Sequence, residues 1–598
     1  MSTISPRARV RCVFLLIVAG VSAFPLRAQT VTSPYLNDPD LAIGYVDSCA
    51  RFWMKAYDSV QGGFYMNIDR TGNLIRSWGT GKNPLNQSRD AYGFLRAYQM
   101  TGKREYLTYA RRALDFLHRS GWDARYGGWY TEVNAAGVAS NPTANKTAYN
   151  QHYAMLGITA SVEVTDDSLD RAMLNRSLAH MEARFWDARP GSFGYYDNTH
   201  ADGTQPSGKS FNATVDAVTT HMLSLYLMTG SYVHQQRLEA LADNMVDRLA
   251  ASAATQAAGF VEGYDADWNP DPGNTMTIMG HVLKTAWCLA RMQPIWPDNG
   301  RLAVAKRLVE LVLQQGYDQQ NGGPYKDYDR VTGQMLMWGQ ADTAKAWWQM
   351  EQAVTAGLML YAADPVYLQM ADKTLNFYMT HFVDHVYGDV YENRTKYGGQ
   401  IWDTNKGSSG KAAYHSIELG YYIYLYGHLL LQNDQATLHY AFDPVAHDRV
   451  IIVSPVSIQT QVLKVTLDGV PWAWWTGGNS LHIPAHVGGD FAVTFRRFIA
   501  DAGDGAHADF PDRMRLEQNY PNPFNPSTTL TFALSHGGRA VIRVHDLLGR
   551  EVATVLDAVM SAGTHTVRFD GSGISSGVYL YRLEVDGMQL TRRMVLMK

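Results

Sequence analysis

A short glycine–aromatic phrase recurs along the chain at nearly constant spacing. The phrases "QGGFYMNID" (61–69), "RYGGWYTEV" (125–133) and "NGGPYKDYD" (321–329) are close copies, and looser versions lie between and after them. Counted from Gly62, the later copies fall at Gly127, Phe193, Gly259, Gly322 and Gly388. A fixed period is the signature of a repeat architecture, so the sequence predicts six copies of one supersecondary unit.

Each copy of the phrase is followed by two long segments with apolar residues at helical spacing. In the second unit these are "AYNQHYAMLGITASVEV" and "LDRAMLNRSLAHMEARFW", separated by "TDDS". The glycines permit the backbone angles of a tight turn between one helix pair and the next. Because the first helix of each pair is the more apolar, we expect an inner ring of first helices covered by an outer ring. The predicted fold is a closed (α/α)6 barrel over residues 29–434.

The chain changes character after residue 434. Short alternating runs with Gly and Pro turns indicate strands, and we predict a small β-sandwich over 435–498. Residues 499–515 resemble a linker in composition, and 516–598 form a further strand-rich module. The chain is therefore predicted to be mainly α, with two β domains after the barrel.

The N-terminal segment 1–28 has the plan of a secretory signal peptide. Arginines at 7, 9 and 11 precede the apolar "VFLLIVAGVSAF", which is too short to span a bilayer, and cleavage is expected after Ala28. We predict no transmembrane segment elsewhere. A net charge of -4 argues against a nucleic-acid partner, which requires a basic surface, whereas 12% aromatic residues favour a sugar-handling protein.

Equivalent positions of successive units should lie at one height of a closed ring. We compare the segment where each first helix begins, at a similar distance after each turn. Across the six units this segment contains an arginine, a tyrosine, three histidines and a Trp-Trp-Glu group. These residues are Arg89, Tyr149, His221, His281, Trp347, Trp348, Glu351 and His415. Their common phase predicts a site at one mouth of the ring.

The three histidines could hold a metal ion or transfer protons. Three imidazoles can bind zinc, but no two of these share a helix and no carboxylate is evidently paired with them, so we expect no metal. Histidine changes charge near neutral pH and can remove a proton and return it. An arginine can stabilise a developing enediolate oxygen. The set therefore suits proton transfer at the carbon next to a sugar carbonyl.

Three motifs, "MGHVLKTAW" (279–287), "KAWWQMEQA" (345–353) and "KAAYHSIE" (411–418), resemble the N-acylglucosamine 2-epimerase superfamily. That superfamily includes cellobiose and mannobiose 2-epimerases and aldose–ketose isomerases. The resemblance extends over the predicted barrel. It implies a mono- or oligosaccharide substrate, chemistry at C2 of a reducing sugar through an enediolate, and no metal or redox cofactor.

Family roles can be carried over position by position. His281 and His415 would be the general acid/base pair, and His221 would assist ring opening or polarise the sugar oxygens. Arg89 would bind the carbonyl or enediolate oxygen. The other predicted substrate-binding residues are Tyr149, Trp347, Trp348, Glu351, Lys284, Trp402 and Glu418.

One position departs from the family pattern in unit four. Family epimerases usually carry Glu three residues after the histidine, and this chain has Lys284 there. An ammonium at that place would lower the pKa of a neighbouring histidine. We expect Lys284 to bind substrate or to pair with Glu262, Asp265 or Glu351.

A second departure lies in unit six. Disaccharide epimerases tend to have Trp five residues before the last histidine, where this chain has Gly410 in "NKGSSGK". The stacking wall for a second sugar is then missing or comes from Trp402.

The C-terminal module carries its own resemblance. Its segments "LEQNYPNPFNPSTTLTFAL" (516–534), "VHDLLGREV" (544–552) and "GVYLYRLEVDGMQLTRRMVLMK" (577–598) resemble the C-terminal sorting domain of the type IX secretion system. This implies export across a bacterial outer membrane with the secretion machinery as partner. The expected location is extracellular or at the cell surface.

Two other functions stay open at this stage. Many glycoside hydrolases use the same barrel, and hydrolysis needs two carboxyl groups beside the scissile bond. The candidate carboxyls are Asp216, Glu262, Asp265, Asp267 and Glu351. The third interpretation is a non-catalytic sugar-binding protein, in which Lys284 and Gly410 mark a decayed site.

Overall fold

A computed structural model describes most of the chain after the predicted signal peptide. The described residues are 31–251, 260–337, 340–361, 363–472, 474–475, 478–498, 514–534, 538–547, 549–560, 563–585 and 588–598. The predicted signal peptide (1–28) and the predicted linker, apart from its last two residues, lie outside them.

Units one to five each contribute a first and a second helix, and unit six contributes a first helix. The first helices of units one, two, four and five are Pro84–Thr101, Ala148–Thr165, Met279–Met292 and Trp347–Tyr361. In unit three the helix Phe211–Ala217 continues through the π-helical segment Val218–Met222 into Leu223–Thr229. In unit six Tyr414–Tyr426 is extended by Gly427–Gln432. The second helices are Arg104–Ser120, Ser168–Arg184, Tyr232–Asn244 extended by Met245–Leu249, Asn299–Gln315 and Tyr367–His381. Leu41–Met54 packs on the first helix of unit six, and Pro34–Asn37 and the 3-10 turn Arg76–Trp78 are short additions.

The first helices form the buried layer of the helical region. Each contacts the first helix of the next unit, and the first helix of unit six contacts that of unit one. Between units one and two the approach is close, because a Cβ on Gly157 would lie 2.3 Å from the Ser88 carbonyl oxygen. Side chains cap several of these helices, as where Asn83 accepts from the Asn86 N–H and Ser210 accepts from the Ala213 N–H. The helices therefore start at defined residues and present their N-terminal turns at one end.

Five of the six turns are closed by what we call a lysine latch. In each, a buried lysine ammonium binds the aspartate that precedes the turn and a nearby backbone carbonyl. The latches are Lys82–Asp58 (2.8 Å), Lys146–Asp123 (2.7 Å), Lys209–Asp187 (3.1 Å), Lys345–Asp318 (2.9 Å) and Lys406–Asp384 (2.9 Å). Unit four has neither partner of a latch. Thr277 occupies the position just before its first helix, which corresponds to Lys345 in unit five, and the segment 248–261 contains no Asp or Glu. The Thr277 hydroxyl donates to the Phe260 carbonyl instead.

Short antiparallel strands connect the units. The pairs are Lys146–Thr147 with Asn198–Thr199, Lys209–Ser210 with Gly263–Tyr264, Lys345–Ala346 with Asn393–Arg394, and Trp186–Asp187 with Gly194–Tyr195. A four-stranded sheet follows the order Gln340–Ala341, Gln334–Met337, Asp327–Asp329, Met276–Ile278. This sheet joins the turn regions before units four and five.

Two strand-rich regions follow the helices, as the sequence indicates. The first has Gln435–Phe442, Gly489–Arg497, Thr460–Leu467 and Val470–Pro471 in one antiparallel sheet and Arg449–Ile452 with Ser480–Ile483 in another. The second has a sheet of Arg515–Leu516, Ser527–Leu534 and Gly563–Asp570, and a sheet of Glu551–Met560, Gly538–His545, Gly577–Val585 and Met588–Leu596. The apolar core of the helical region continues into the first strand region, whereas the second has a core of its own. Among the described residues, none of the helices combines the length and apolar composition of a bilayer span.

Candidate active site

A cavity of about 570 Å³ opens where the N-terminal turns of the first helices meet. All six units contribute to it from the first two turns of those helices. The contributed side chains are Arg89, Tyr149, Tyr153, Phe211, Asn212, Asp216, His281, Lys284, Trp347, Trp348 and His415. Loops between units add Trp78, Lys326, Glu392, Ile401, Trp402, Asp403 and Gly410. Its volume lies within the range of small-molecule sites.

His281 is held by a carboxylate on the side away from the cavity. Its Nδ1 lies 2.7 Å from Glu262 Oε2, and Glu262 Oε1 accepts from the Ile278 N–H at 2.8 Å. The Phe211 ring stacks on the imidazole with centroids 3.7 Å apart. In the described residues no protein group hydrogen-bonds Nε2. The carboxylate therefore keeps a proton on Nδ1 and leaves Nε2 to act on a ligand.

His415 has the same kind of support from a different unit. Its Nδ1 lies 3.2 Å from Glu351 Oε2, and Nε2 has no partner among the residues described. Burial and the nearby cations, Arg89 foremost, hold the pKa of His415 well below its ordinary value. The imidazole is therefore neutral and can accept a proton. Trp348 lies close to both candidates, with its ring 5.3 Å from that of His281 and 6.1 Å from that of His415.

Arg89 is fixed rather than free to move in the cavity. Its guanidinium donates to the Gly410 carbonyl at 2.8 Å and to the Tyr149 hydroxyl at 3.0 Å, and it lies 4.0 Å above the Tyr153 ring. The side chain is only 3% exposed. A preorganised cation of this kind can stabilise negative charge on a sugar oxygen without moving.

Lys284 pairs with a partner that the sequence did not indicate. The prediction of Glu262, Asp265 or Glu351 is wrong: Lys284 Nζ donates to Asp216 Oδ1 at 2.6 Å and to the Tyr153 hydroxyl at 3.0 Å. Burial alone would lower the pKa of Lys284, but the Asp216 carboxylate outweighs burial and raises it. Lys284 is therefore an ammonium, and after burial and Arg89 it contributes to the lowered pKa of His415.

Three predicted site residues lie outside the cavity. His221 is fully buried in the π-helical segment, where Nδ1 bonds to Thr220 Oγ1 at 2.8 Å and the ring stacks on His152. It is the eleventh residue of its helix, whereas the cavity side chains come from the first two turns, so placing it at the mouth is wrong. Glu351 and Glu418 are also buried and do not line the cavity, so neither can touch a ligand there.

Most of the predicted aromatic side chains do line the cavity. Trp347, Trp348 and Tyr149 line the cavity as predicted. Trp402, proposed as the substitute for a tryptophan at Gly410, lines it as well, and the Lys326 ammonium lies 4.4 Å above its ring. Trp78 was not predicted, since no helical periodicity marks its loop.

The sequence offered Asp216 only as a hydrolytic candidate and Glu262 as that or as a partner of Lys284, yet both make bonds to residues that line the cavity. A comparison of the repeats could have found Glu262. Five turns place tyrosine where the fourth places Glu262: Tyr65, Tyr130, Tyr196, Tyr325 and Tyr391. No such signal marks Asp216. Of the other carboxyl candidates, Asp265 and Asp267 are exposed outside the cavity.

Comparison with known proteins agrees with this geometry. Residues 63–418 match the family model of N-acylglucosamine 2-epimerase, and residues 518–597 match a secretion system C-terminal sorting domain. A D-mannose isomerase of Marinomonas mediterranea is 21% identical over 402 residues, which cover 64% of this chain and 96% of the relative. A cellobiose 2-epimerase of Bacteroides fragilis is 22% identical, covering 61% and 93%. The tail is thus a sorting domain, which marks the chain for export through the type IX secretion system.

Solved structures show the same fold. A D-mannose isomerase structure superposes with a TM-score of 0.58 at 21% identity, covering 66% of this chain and 99% of that one. The cellobiose 2-epimerase of Spirochaeta thermophila gives a TM-score of 0.58 at 21% identity, covering 67% and 98%.

Proposed function

Because the chain belongs to the N-acylglucosamine 2-epimerase family, we propose that it is an exported sugar 2-epimerase or aldose–ketose isomerase. It acts on C2 of a reducing mono- or oligosaccharide by proton transfer through an enediolate. The helical domain is proposed to be a closed (α/α)6 barrel, which the contact between the first helices of units six and one supports. The first strand region and the sorting domain are proposed to be β-sandwiches over 435–498 and 516–598.

One observation supports the proposal most directly. His281 and His415 line the same cavity, and each is held through Nδ1 by a carboxylate, so that Nε2 is available on both. Two imidazoles with available nitrogens can serve a single carbon from different sides. That arrangement is what inversion at C2 requires.

The chemistry follows from the environments of the two imidazoles. In the open-chain sugar, neutral His415 removes the C2 proton through Nε2, and the electron pair of the C–H bond moves into the carbonyl to form the enediolate. Arg89 and the Lys284 ammonium stabilise the negative charge that develops on the oxygen. His281, whose Nδ1 is held by Glu262, returns a proton from Nε2.

The position of proton return decides the product. Return to C2 from the opposite face gives the C2 epimer, and the two histidines exchange roles in the reverse direction. Return to C1, with transfer of the C2 hydroxyl proton to the C1 oxygen, gives the ketose. Trp348, whose ring lies close to both imidazoles, is placed to hold the sugar chain during either step.

A product assay tests the function. Purified full chain is incubated with mannose, glucose, fructose, cellobiose and mannobiose, and the products are identified by NMR and anion-exchange chromatography. We expect an epimer or a ketose of at least one sugar, and loss of activity by a factor of 10² to 10⁴ on His281→Asn or His415→Asn. The matched control, His200→Asn, changes an exposed histidine outside the cavity and should leave turnover intact.

The opposite outcomes are equally clear. Release of new reducing ends from oligosaccharides that survives both histidine changes but fails in Asp216→Asn would favour a hydrolase. Sugar binding with no product from any substrate would favour a non-catalytic protein.

A further inference from the structure

Behind His415, away from the cavity, two glutamates share a sealed space. Glu351 is 0% and Glu418 2% exposed, and their carboxyl oxygens and a His415 ring nitrogen all lie within 4.8 Å of one another. Neither carboxyl reaches the cavity. Two carboxylates this close in a buried space repel each other strongly, because the interior screens charge poorly.

The hydrogen-bond donors around the two carboxyls are unequal. Glu351 is surrounded by three: Gln352 Nε2 and His415 Nδ1 at Oε2, and Thr355 Oγ1 at Oε1. Two hydroxyls act on Glu418: that of Tyr92 donates to Oε1 at 2.8 Å, and that of Tyr414 is a weaker donor, while the buried Oε2 has no well-aligned donor within the described residues. An ionised carboxylate needs donors, whereas a neutral acid tolerates fewer. We propose that Glu418 is held protonated beneath His415, so that Glu351 is the single carboxylate that orients the imidazole.

Several charged and titratable groups surround the pair. Lys284, which is paired with Asp216, and Arg291 act on Glu418, while Arg89 and the Asp389-paired Lys411 act on His415. The remaining titratable groups nearby are phenols and a thiol whose pKa values burial raises, so they carry no charge: Tyr92, Tyr378, Tyr414, Tyr422, Tyr426 and Cys288. Burial raises the pKa of both Glu351 and Glu418, and the repulsion between the two carboxylates adds to the effect, so one proton on the pair is favoured.

A metal ion would be the other way to bring Glu351, Glu418 and His415 together. The site disfavours it, because the cluster is sealed and the Lys284 ammonium and the Arg291 guanidinium act on the same carboxyls. Donors already occupy both oxygens of Glu351. A proton needs no coordination sphere and fits this space, whereas a divalent cation needs several ligands that the cluster does not offer.

The consequence for His415 is a fixed tautomer. Glu351, as the single carboxylate, accepts the Nδ1 proton and directs the lone pair of Nε2 toward the cavity. If Glu418 were ionised as well, the second negative charge would favour imidazolium and remove the base. Glu418 is thus a positioning residue for His415, an inference that rests on the proposed function only in what it says about catalysis.

Infrared spectroscopy tests the protonation itself, without any sugar. Full chain is prepared with ¹³C-labelled glutamate, which separates Glu from Asp carboxyls such as Asp90, whose pKa burial raises to about 8. At mildly alkaline pH we expect a labelled band of a protonated carboxyl that shifts in D₂O, is lost in Glu418→Gln and persists in Glu182→Gln. Glu182 is a matched control, because it is an exposed glutamate paired with Arg237.

Kinetics supply the second readout. Glu351→Gln removes the carboxylate that orients His415, so kcat should fall on the order of 10²-fold, whereas Glu418→Gln mimics the neutral acid and should keep the shape of the pH profile. Glu182→Gln is the control that should leave kcat unchanged. A band that survives Glu418→Gln but disappears in Glu351→Gln would put the proton on Glu351 and overturn the proposal. So would a stoichiometric metal in the purified chain that Glu418→Gln removes. A wild type that carries the band but converts no sugar would refute the proposed function and leave the protonation of Glu418 standing.

Discussion

The fourth turn of the repeat and the other five use a carboxylate for different purposes. In the five latched turns the aspartate binds a buried lysine and joins the turn to the next helix. In the fourth, lysine is replaced by Thr277, tyrosine by Glu262, and the carboxylate binds His281. The fourth turn therefore lacks the stabilising lysine–aspartate pair, and its carboxylate instead supports His281 of the cavity.

The comparison separates two kinds of buried charge. A latch is buried and stabilises the fold. The Glu262–His281 pair borders the cavity and leaves Nε2 of His281 available to a ligand. Functional sites are where a sequence is expected to break the rule that the rest of the fold follows. The comparison predicts that equivalent substitutions change stability in one region and activity in the other.

The largest expected effect comes from breaking a latch. Lys345→Met leaves the Asp318 carboxylate buried without its cation, and removing one partner of a buried pair typically lowers the free energy of unfolding by about 3–5 kcal/mol. Urea unfolding of the variant measures the loss. In the double variant Lys345→Met/Asp318→Leu both charges are gone, so much of the stability should return. A single variant within about 1 kcal/mol of wild type would mean that the latch is not structural.

The matching change in the fourth turn should reduce activity instead. Glu262→Gln keeps the size of the side chain but removes the carboxylate that binds Nδ1 of His281 and orients its ring, so kcat should fall on the order of 10²-fold, about 2.7 kcal/mol. Tyr325→Phe changes the equivalent position of unit five and serves as the control, with turnover expected to remain intact. Equal losses of kcat in Glu262→Gln and Tyr325→Phe would show that the fourth turn has no special part in activity.

Acid should weaken the latched turns. Burial raises the pKa of Asp58, but hydrogen bonds, that of Lys82 foremost, outweigh burial and lower the pKa to about 2. A depressed pKa in the folded state means that the stabilisation is complete above the unfolded value of about 4 and is lost as the pH falls toward 2. Urea midpoints measured across this window should fall more steeply for wild type than for Lys82→Met/Asp58→Leu. Parallel curves would contradict this assignment.

The smallest effect is expected at the threonine that replaces the fourth lysine. Thr277→Val removes the hydrogen bond to the Phe260 carbonyl and one from Arg330, which should lower the free energy of unfolding by about 1 kcal/mol. Denaturant unfolding next to Lys345→Met gives the comparison directly. A loss as large as that of the latch variant would show that the fourth turn is held as tightly as the others.

The repeat period was enough to predict the helix pairs, because the glycine–aromatic phrase and the helical spacing are both local signals. It also predicted the two histidines of the cavity, since each lies within the first turn of its helix. His221 was misplaced because the segment compared between units spans two helical turns, and within it every residue points 100° away from its neighbour. Only the start of each helix, fixed by caps such as Ser210, resolves that ambiguity.

The partners of the buried charges could not be predicted from spacing. Lys284 and Asp216 lie on first helices of different units, and their contact depends on how closely those helices pack. Glu351 and Glu418 carry the same charge and would not be expected side by side unless one holds a proton. Such pairs are set by packing across units, which local patterns do not record.

The central claim is that His281 and His415 exchange a C2 proton with solvent during turnover. The most direct measurement is deuterium at C2 of recovered substrate and product after incubation of a converted sugar in D₂O, followed by NMR. We predict deuterium at C2 with wild type, and rates lower by a factor of 10² to 10⁴ with His281→Asn and His415→Asn. Turnover that leaves C2 undeuterated, or exchange at the wild-type rate in both variants, would contradict the account.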